Sequence, residues 1–367
     1  MAAIELRTDP ATVVVQPTPL CNLRCTYCYL PDVSDRSRMP VALSARLADD
    51  LASLPESHVT EVRWHAGEPL TVGVEHFVAL LEPFEPLRSA GRLRHSLQTN
   101  GTLVSPAWCE VFRRFDVDVG VSLDGPRWAN RQRRTLSGAE TFDRTLRGIA
   151  CLNDHEVPFS MIAVVSLSSI PRIVERTAEY LGFFGELGAG VVGFNVEETE
   201  GHHQVAGDER MVRRFWTALF SAWLQAECRP MVREFLGVLG FAEASLAGAR
   251  EVRPVDLLPT ISWDGDVVVL SPELAGYRDE RYGDFKVGNL YEQPLGAILR
   301  EAMAARYVHE FVAGTAECRA TCRYFAYCRG GQASNRYFEH GDFTTAETVF
   351  CRTTRQAPFD AVVGPPD

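Results

Sequence analysis

Cys21, Cys25 and Cys28 lie in the stretch CNLRCTYCYL at spacings of x3 and x2. Four more cysteines gather towards the other end, Cys318, Cys322, Cys328 and Cys351, at spacings of x3, x5 and x22. Thiolate is the usual protein ligand of iron–sulfur clusters and a common ligand of zinc. Three thiolates hold three irons of a [4Fe–4S] cube and leave the fourth iron open to an exogenous ligand. Four thiolates close a site. No Cys or His lies between Cys28 and His58 to complete a zinc site in the first set. The first set therefore reads as open and reactive. The second reads as closed, with zinc the alternative to a cluster.

The remaining cysteines do not suggest a disulfide framework. Cys109 and Cys151 fall on apolar helical patterns and Cys228 at the end of another, as packing residues do. The 367 residues carry a net charge of −11 with no basic run, which argues against nucleic acid or a membrane surface as partner and suits a cationic peptide or a solvated acidic surface. No apolar stretch approaches the ~18 residues of a membrane span. MAAIELRTDP is no signal peptide, so a cytoplasmic location is expected.

Strands are expected at 11–18, 61–66, 94–100, 118–124, 158–166 and 191–198, alternating with apolar repeats of helical period. Six such units imply parallel strands with helices outside. A doubly wound sheet is the alternative to an incomplete β/α barrel. The barrel is preferred because the strands end in polar segments, HAGEP, QTNG, SLDGP and NVEETEG, and barrel active sites collect at those ends. Two helices are expected within 208–250. Asp264–Gly265 between alternating flanks marks a hairpin, and EQPLGAILREAMAARY a helix. The expected division is a domain at 11–251 and a smaller one at 252–367.

CNLRCTYCYL matches the CxxxCxxC motif of radical S-adenosylmethionine (SAM) enzymes, with Tyr27 before the third cysteine. The resemblance implies a (β/α)6 partial barrel in which SAM chelates the open iron and one electron cleaves it to a 5′-deoxyadenosyl radical. An external donor such as flavodoxin or ferredoxin would supply that electron. Ala66-Gly67-Glu68-Pro69 stands where the family has GGEP, implying contacts to the SAM amino group from Gly67, Glu68 and Pro69. Asn100, Ser122 and Asp124 resemble SAM-facing strand ends of peptide-modifying members, although each also suits a plain turn.

The C-terminal cysteines resemble a SPASM extension, which in full form carries seven cysteines and two auxiliary [4Fe–4S] clusters. Here the hairpin lacks cysteine and Gln332 stands where another is expected, so one auxiliary cluster is implied, bound by Cys318, Cys322, Cys328 and Cys351. Family members usually space the first two of these by x2 and often have Gly at the position of Arg329. The blocks NVEETEG, SPEL and GDFKVGNL narrow the resemblance to the maturases of glycine-rich-repeat peptides, over about 11–356. That branch implies a ribosomal precursor peptide as partner and a C–C (cyclophane) crosslink between an aromatic ring and a Cβ. The ring proton needs a base. Glu273, Asp264 and Glu198 are the foremost candidates, with Glu197 and Glu200 beside them. Thioether formation, epimerisation, formylglycine formation and an inert zinc-binding scaffold are the competing readings. The few residues before the first strand leave leader recognition to the barrel surface, the 199–255 helices or a separate partner.

Overall fold

The computed structural model describes residues 4–205, 207–226, 230–248 and 254–364. Six parallel strands form its centre: β1 (Thr12–Val15), β2 (Thr60–Trp64), β3 (Leu93–Thr99), β4 (Val117–Ser122), β5 (Phe159–Val165) and β6 (Val191–Val196). Each overlaps a stretch that the sequence marks as strand, with β2, β3 and β4 starting one residue earlier than expected. They pair in chain order without reversal, Val13 beside Val62, Leu97 beside Val119, Met161 beside Val192. A doubly wound sheet reverses its order at a switch point. This one does not, so the fold is an α/β partial barrel.

The alternation along the strands explains the layering. Val13, Val15, Val62, Trp64, Leu97, Val119, Val121, Met161, Ala163, Val192 and Phe194 are buried under the outer helices. Ser96, Gln98, Ser122, Ser160 and Asn195 point the other way and keep surface. The inner wall therefore carries these polar groups beside apolar Val14, Ile162 and Val164.

Three helical expectations change. The repeat around 173–184 splits into Ile170–Glu175 and Thr177–Glu186, because Arg176 leaves helical geometry at φ −127°, ψ 35°. EQPLGAILREAMAARY is likewise two helices, Leu295–Ala302 and Arg306–Thr321. Glu209–Gln225 and Arg233–Leu246 are the two helices expected beyond β6. Met231–Val232, read as helix, instead forms a short strand β7 beside Val191 and Val192. The hairpin forms as β8 (Thr260–Ile261) and β9 (Asp266–Val268), and β10 (Gly288–Asn289) pairs with β9. Thr260 and Ile261 pair in parallel with Val14 and Val15, so this hairpin extends the barrel sheet past β1. Among the described residues, no helix is long and apolar enough to cross a membrane. Cys228 lies outside the described residues.

Candidate active site

The loop carrying Cys21, Cys25 and Cys28 leaves the end of β1 and is held from three directions. Arg24 and Thr26 donate backbone hydrogen bonds to Arg134 O (2.7 Å) and Gln132 O (3.1 Å). Asn22 accepts from Asn100 Nδ2 (2.8 Å), and Glu68 N donates to Leu20 O (2.8 Å). Burial pushes the Cys21 thiol up to about 12, aided by the charge of Glu68, and also raises Cys25 and Cys28. Buried thiols that must ionise need a cation, and the three face a common site with an Arg133 guanidinium near Cys25. Cysteines so disposed fit a cationic iron core.

The strand-end residues turn out to brace this loop. Glu68 is buried and accepts from Leu70 N (3.1 Å), Thr99 Oγ1 (2.7 Å) and Asn100 N (2.7 Å), which ties the end of β2 to the end of β3. Gly67 has φ +63°, and a Cβ there would lie 2.3 Å from Thr18 O and 2.8 Å from Leu20 O. Only glycine fits under the chain that enters Cys21. Ala66 is left-handed too, at φ 71°. Pro69 opens a short 3-10 turn whose N-cap is Glu68. Ser122 accepts from Gln98 Nε2 (2.8 Å) on the inner wall.

Asp124 is fully engaged within the protein. Its carboxylate accepts from Tyr27 Oη (2.9 Å and 3.1 Å) and from Val164 N (3.1 Å), and it lies 3.7 Å from Arg133 Nη1. Arg133 donates to Tyr27 Oη (2.7 Å). Burial raises the Asp124 carboxyl, which Arg133 and Tyr27 oppose. Tyr27, Asp124 and Arg133 thus form a buried wedge behind Cys25. Sequence reading missed Arg133, one arginine in the run NRQRRT. Among its arginines only Arg133 is buried.

Three carboxyls meet beyond Cys28. Glu198 accepts from Asn335 Nδ2 (2.6 Å), Glu200 from Ser334 Oγ (3.4 Å) and Glu273 from Ser271 Oγ (2.5 Å). Each keeps part of its surface open while protein encloses most of it. Burial, with repulsion from Glu273, raises Glu198 to about 8. Glu200 is raised well above the usual range by burial and then by Glu273 and Glu198. Burial raises Glu273 as well, against hydrogen bonds from Ser271 and Gln332. Tyr29 feels Glu273 and Glu200, and Cys28 feels Glu200, so the group borders the open cysteine set. Ser334 and Asn335 belong to the segment after Cys328 and link it to the closed set. Gln332 and Glu273 occupy stretches where the resembled family has cysteine, and here they are neighbours.

The other acidic candidates stand apart. Asp264 sits in the hairpin turn with Asp266, Lys286 and Asn289, where Asn289 Nδ2 donates to Asp264 O (3.2 Å). Glu197 is held by Leu167 N (2.9 Å) and His203 Nε2 (3.0 Å).

Cys318, Cys322, Cys328 and Cys351 line one cavity with Tyr324, Gly330 and Gly331. Cys318 lies in the last turn of helix Arg306–Thr321 and Cys322 caps it, with Cys322 N donating to Cys318 O (2.8 Å). The x3 spacing is thus one helical turn, which keeps both residues on one face. Arg329 ends the Phe325–Cys328 helix at φ 62°, ψ 22°, a left-handed position natural for glycine. Four converging thiols fit a closed cluster. Elsewhere, Cys109 and Cys151 approach to 3.8 Å between two outer helices, with the His155 ring beside Cys151.

The model of the Radical SAM superfamily matches residues 15–181. An uncharacterized protein of Synechocystis, sll1766, is 33% identical over 366 residues, covering 96% of this chain and 91% of that one. The serine-type anaerobic sulfatase-maturating enzyme of Klebsiella aerogenes is 32% identical over 201 residues, 50% of this chain and 48% of that one. Among solved structures, anSMEcpe with bound AdoMet superposes with a TM-score of 0.76 at 22% identity, covering 96% of this chain and 97% of that one. Streptococcus suis SuiB bound to its precursor peptide SuiA gives 0.67 at 18% identity, covering 93% and 75%.

Proposed function

Because the chain belongs to the radical SAM superfamily, whose members use SAM with a [4Fe–4S] cluster, we propose that this enzyme acts on a ribosomal precursor peptide and joins an aromatic ring to a side-chain Cβ. When bound, SAM and the open cluster supply a 5′-deoxyadenosyl radical that abstracts a hydrogen atom from the peptide, and the closed cluster is an acceptor for the electron released when the ring regains aromaticity. Cys21, Cys25 and Cys28 hold the open cluster, and Cys318, Cys322, Cys328 and Cys351 hold the closed one. The inner wall with Gln98 and Ser122 receives SAM, and Gly67 and Pro69 shape the loop against it. Glu68 and Asn100 brace the cysteine loop beside that site. The region expected at 252–367 is read as the auxiliary unit, joined to the barrel through β8 beside β1, and a flavodoxin or ferredoxin delivers electrons from outside.

The observation that carries this reading is the carboxyl group of Glu198, Glu200 and Glu273 between the two cysteine sets. Burial raises Glu198 to about 8 and Glu200 well above the usual carboxyl range, so both favour the protonated form. Burial raises Glu273 too, but it has the most hydrogen-bond donors, and these favour its carboxylate form. It takes the ring proton, and Glu198 and Glu200 keep repulsion low by remaining neutral. A ring that has formed a bond to Cβ must lose one proton and one electron, and a carboxylate beside an electron acceptor meets both needs. Asp264, outside this group, is not given the role.

Formylglycine formation is the second reading, favoured by the likeness to a sulfatase-maturating enzyme. Coexpression with a short precursor bearing aromatic residues tests the first. Loss of about two mass units per crosslink is expected from C–C coupling, with fragmentation suppressed between the joined residues. Oxidation of serine gives the same mass change, so an aldehyde-reactive probe decides between them. Probe labelling of the product would refute the crosslink. Glu273→Gln is expected to keep 5′-deoxyadenosine release while lowering crosslink yield at least tenfold.

A further inference from the structure

Arg336 lies in helix Ala333–His340 and is 1% exposed. Its guanidinium donates to Phe311 O (3.1 Å), Phe343 O (3.0 Å), Gly330 O (2.5 Å) and Thr315 Oγ1 (3.3 Å). It reaches Cys318 Sγ at 3.6 Å and stacks over the Phe311 ring at 4.8 Å. No carboxylate is among these partners. A buried guanidinium without an anion is strongly disfavoured. The anionic groups that remain are the closed-set thiolates, and Arg336 interacts with Cys318, Cys351 and Cys328. The fold has thus placed an unneutralised positive charge against the closed set.

The open set is arranged differently. Arg133 also stands behind its cysteines, but Asp124 lies 3.7 Å from the Arg133 guanidinium, so the pair adds little net charge. The two sites therefore have similar ligands and dissimilar fields. Uptake of an electron makes a thiolate-bound cluster one unit more negative. An unneutralised cation nearby favours that state, and a neutralised pair does not.

We infer that Arg336 is the positioning residue that raises the reduction potential of the closed cluster above that of the open one, so that electrons released in the reaction collect at the closed site. It acts on the cluster through its charge and through the orientation of Cys318, without touching substrate. The inference rests on the closed cysteines holding an iron–sulfur cluster and not on the identity of the peptide product. A failed crosslink assay leaves it standing, and the reverse is also true.

The test is an anaerobic dithionite titration of the reconstituted holoenzyme, followed by electron paramagnetic resonance, with iron counted before and after. In the unaltered enzyme the closed-site signal appears at a less reducing potential than the open-site signal. Arg336→Gln moves the closed-site midpoint to more negative potential and leaves the open-site midpoint in place. Arg336→Lys retains the charge without the fork and shifts the midpoint less. Asp124→Asn, which frees the charge of Arg133, moves the open-site midpoint the other way. An Arg336→Gln enzyme with full iron and an unmoved midpoint overturns the inference. Loss of the closed-site iron from both Arg336 variants overturns it as well, since Arg336 would then hold the fold and not the potential.

Discussion

Replacing Gly67 with alanine should remove the open cluster while leaving the closed one in place. The new methyl would sit 2.3 Å from Thr18 O and 2.8 Å from Leu20 O, both backbone atoms that no rotamer change can move. The chain between them leads directly into Cys21. A left-handed backbone costs a non-glycine residue about 1–2 kcal/mol, and overpacking adds about 1–3 kcal/mol. The total of about 2–5 kcal/mol falls on one loop, so local displacement of Cys21 is cheaper than global unfolding. Iron content after anaerobic reconstitution should fall from about eight to about four per chain. SAM cleavage to 5′-deoxyadenosine should be lost with it. Ala66→Gly is the control, because residue 66 already has φ 71° and glycine relieves strain there. Its stability should change by no more than about 1 kcal/mol, with iron retained. A Gly67→Ala enzyme with full iron and unaltered SAM cleavage would refute the steric argument.

Two further outcomes follow from buried charge. Glu198 has a folded-state pKa raised to about 8, so its contribution to stability is complete below the unfolded value and is lost as pH rises towards and through 8. Denaturant midpoints should fall over that window, and Glu198→Gln should flatten the slope; an unchanged slope would contradict the burial argument. Behind Cys25, Arg133→Met leaves Asp124 buried without its cation and should cost about 3–5 kcal/mol, against about 1–3 kcal/mol for Tyr27→Phe. Adding Asp124→Asn to Arg133→Met should recover part of the loss, and strict additivity of the two would show that the pair is uncoupled.

The parts that were legible in the sequence are those fixed by local spacing. Six strands could be read because Val62, Trp64, Leu97, Val119 and Val121 alternate with inward residues, and pairing in chain order follows from the helices between them. The cysteine sets could be read because ligands of one cluster are often close in sequence. Even the unusual x3 spacing of Cys318 and Cys322 resolves into a helical turn. What was not legible depends on partners far along the chain. Arg133 and Arg336 look like any surface arginine until the fold buries one against Asp124 and the other against sulfur. Nor could the hydrogen bonds that tie Glu68 to Thr99 and Asn100, and Asp124 to Tyr27 and Val164, be read from the strand-end motifs.

The same limit explains the acidic candidates and gives them order. Glu197, Glu198 and Glu200 are nearly adjacent, and spacing alone says little about which of them faces the site. The structure gives Glu197 to His203 and Leu167, and gives Glu198 and Glu200 to the segment after Cys328. Glu273 joins them from a stretch that in the resembled family carries a cluster ligand, and Gln332 arrives from another such position. Losing two cysteines in one place would leave a hole of poor polarity match. Filling it with a carboxyl and an amide that hydrogen-bond each other instead creates a site able to take a proton. The candidate base therefore stands where the resembled family carries a cluster ligand, and Glu273 has more hydrogen-bond donors than Glu198 or Glu200.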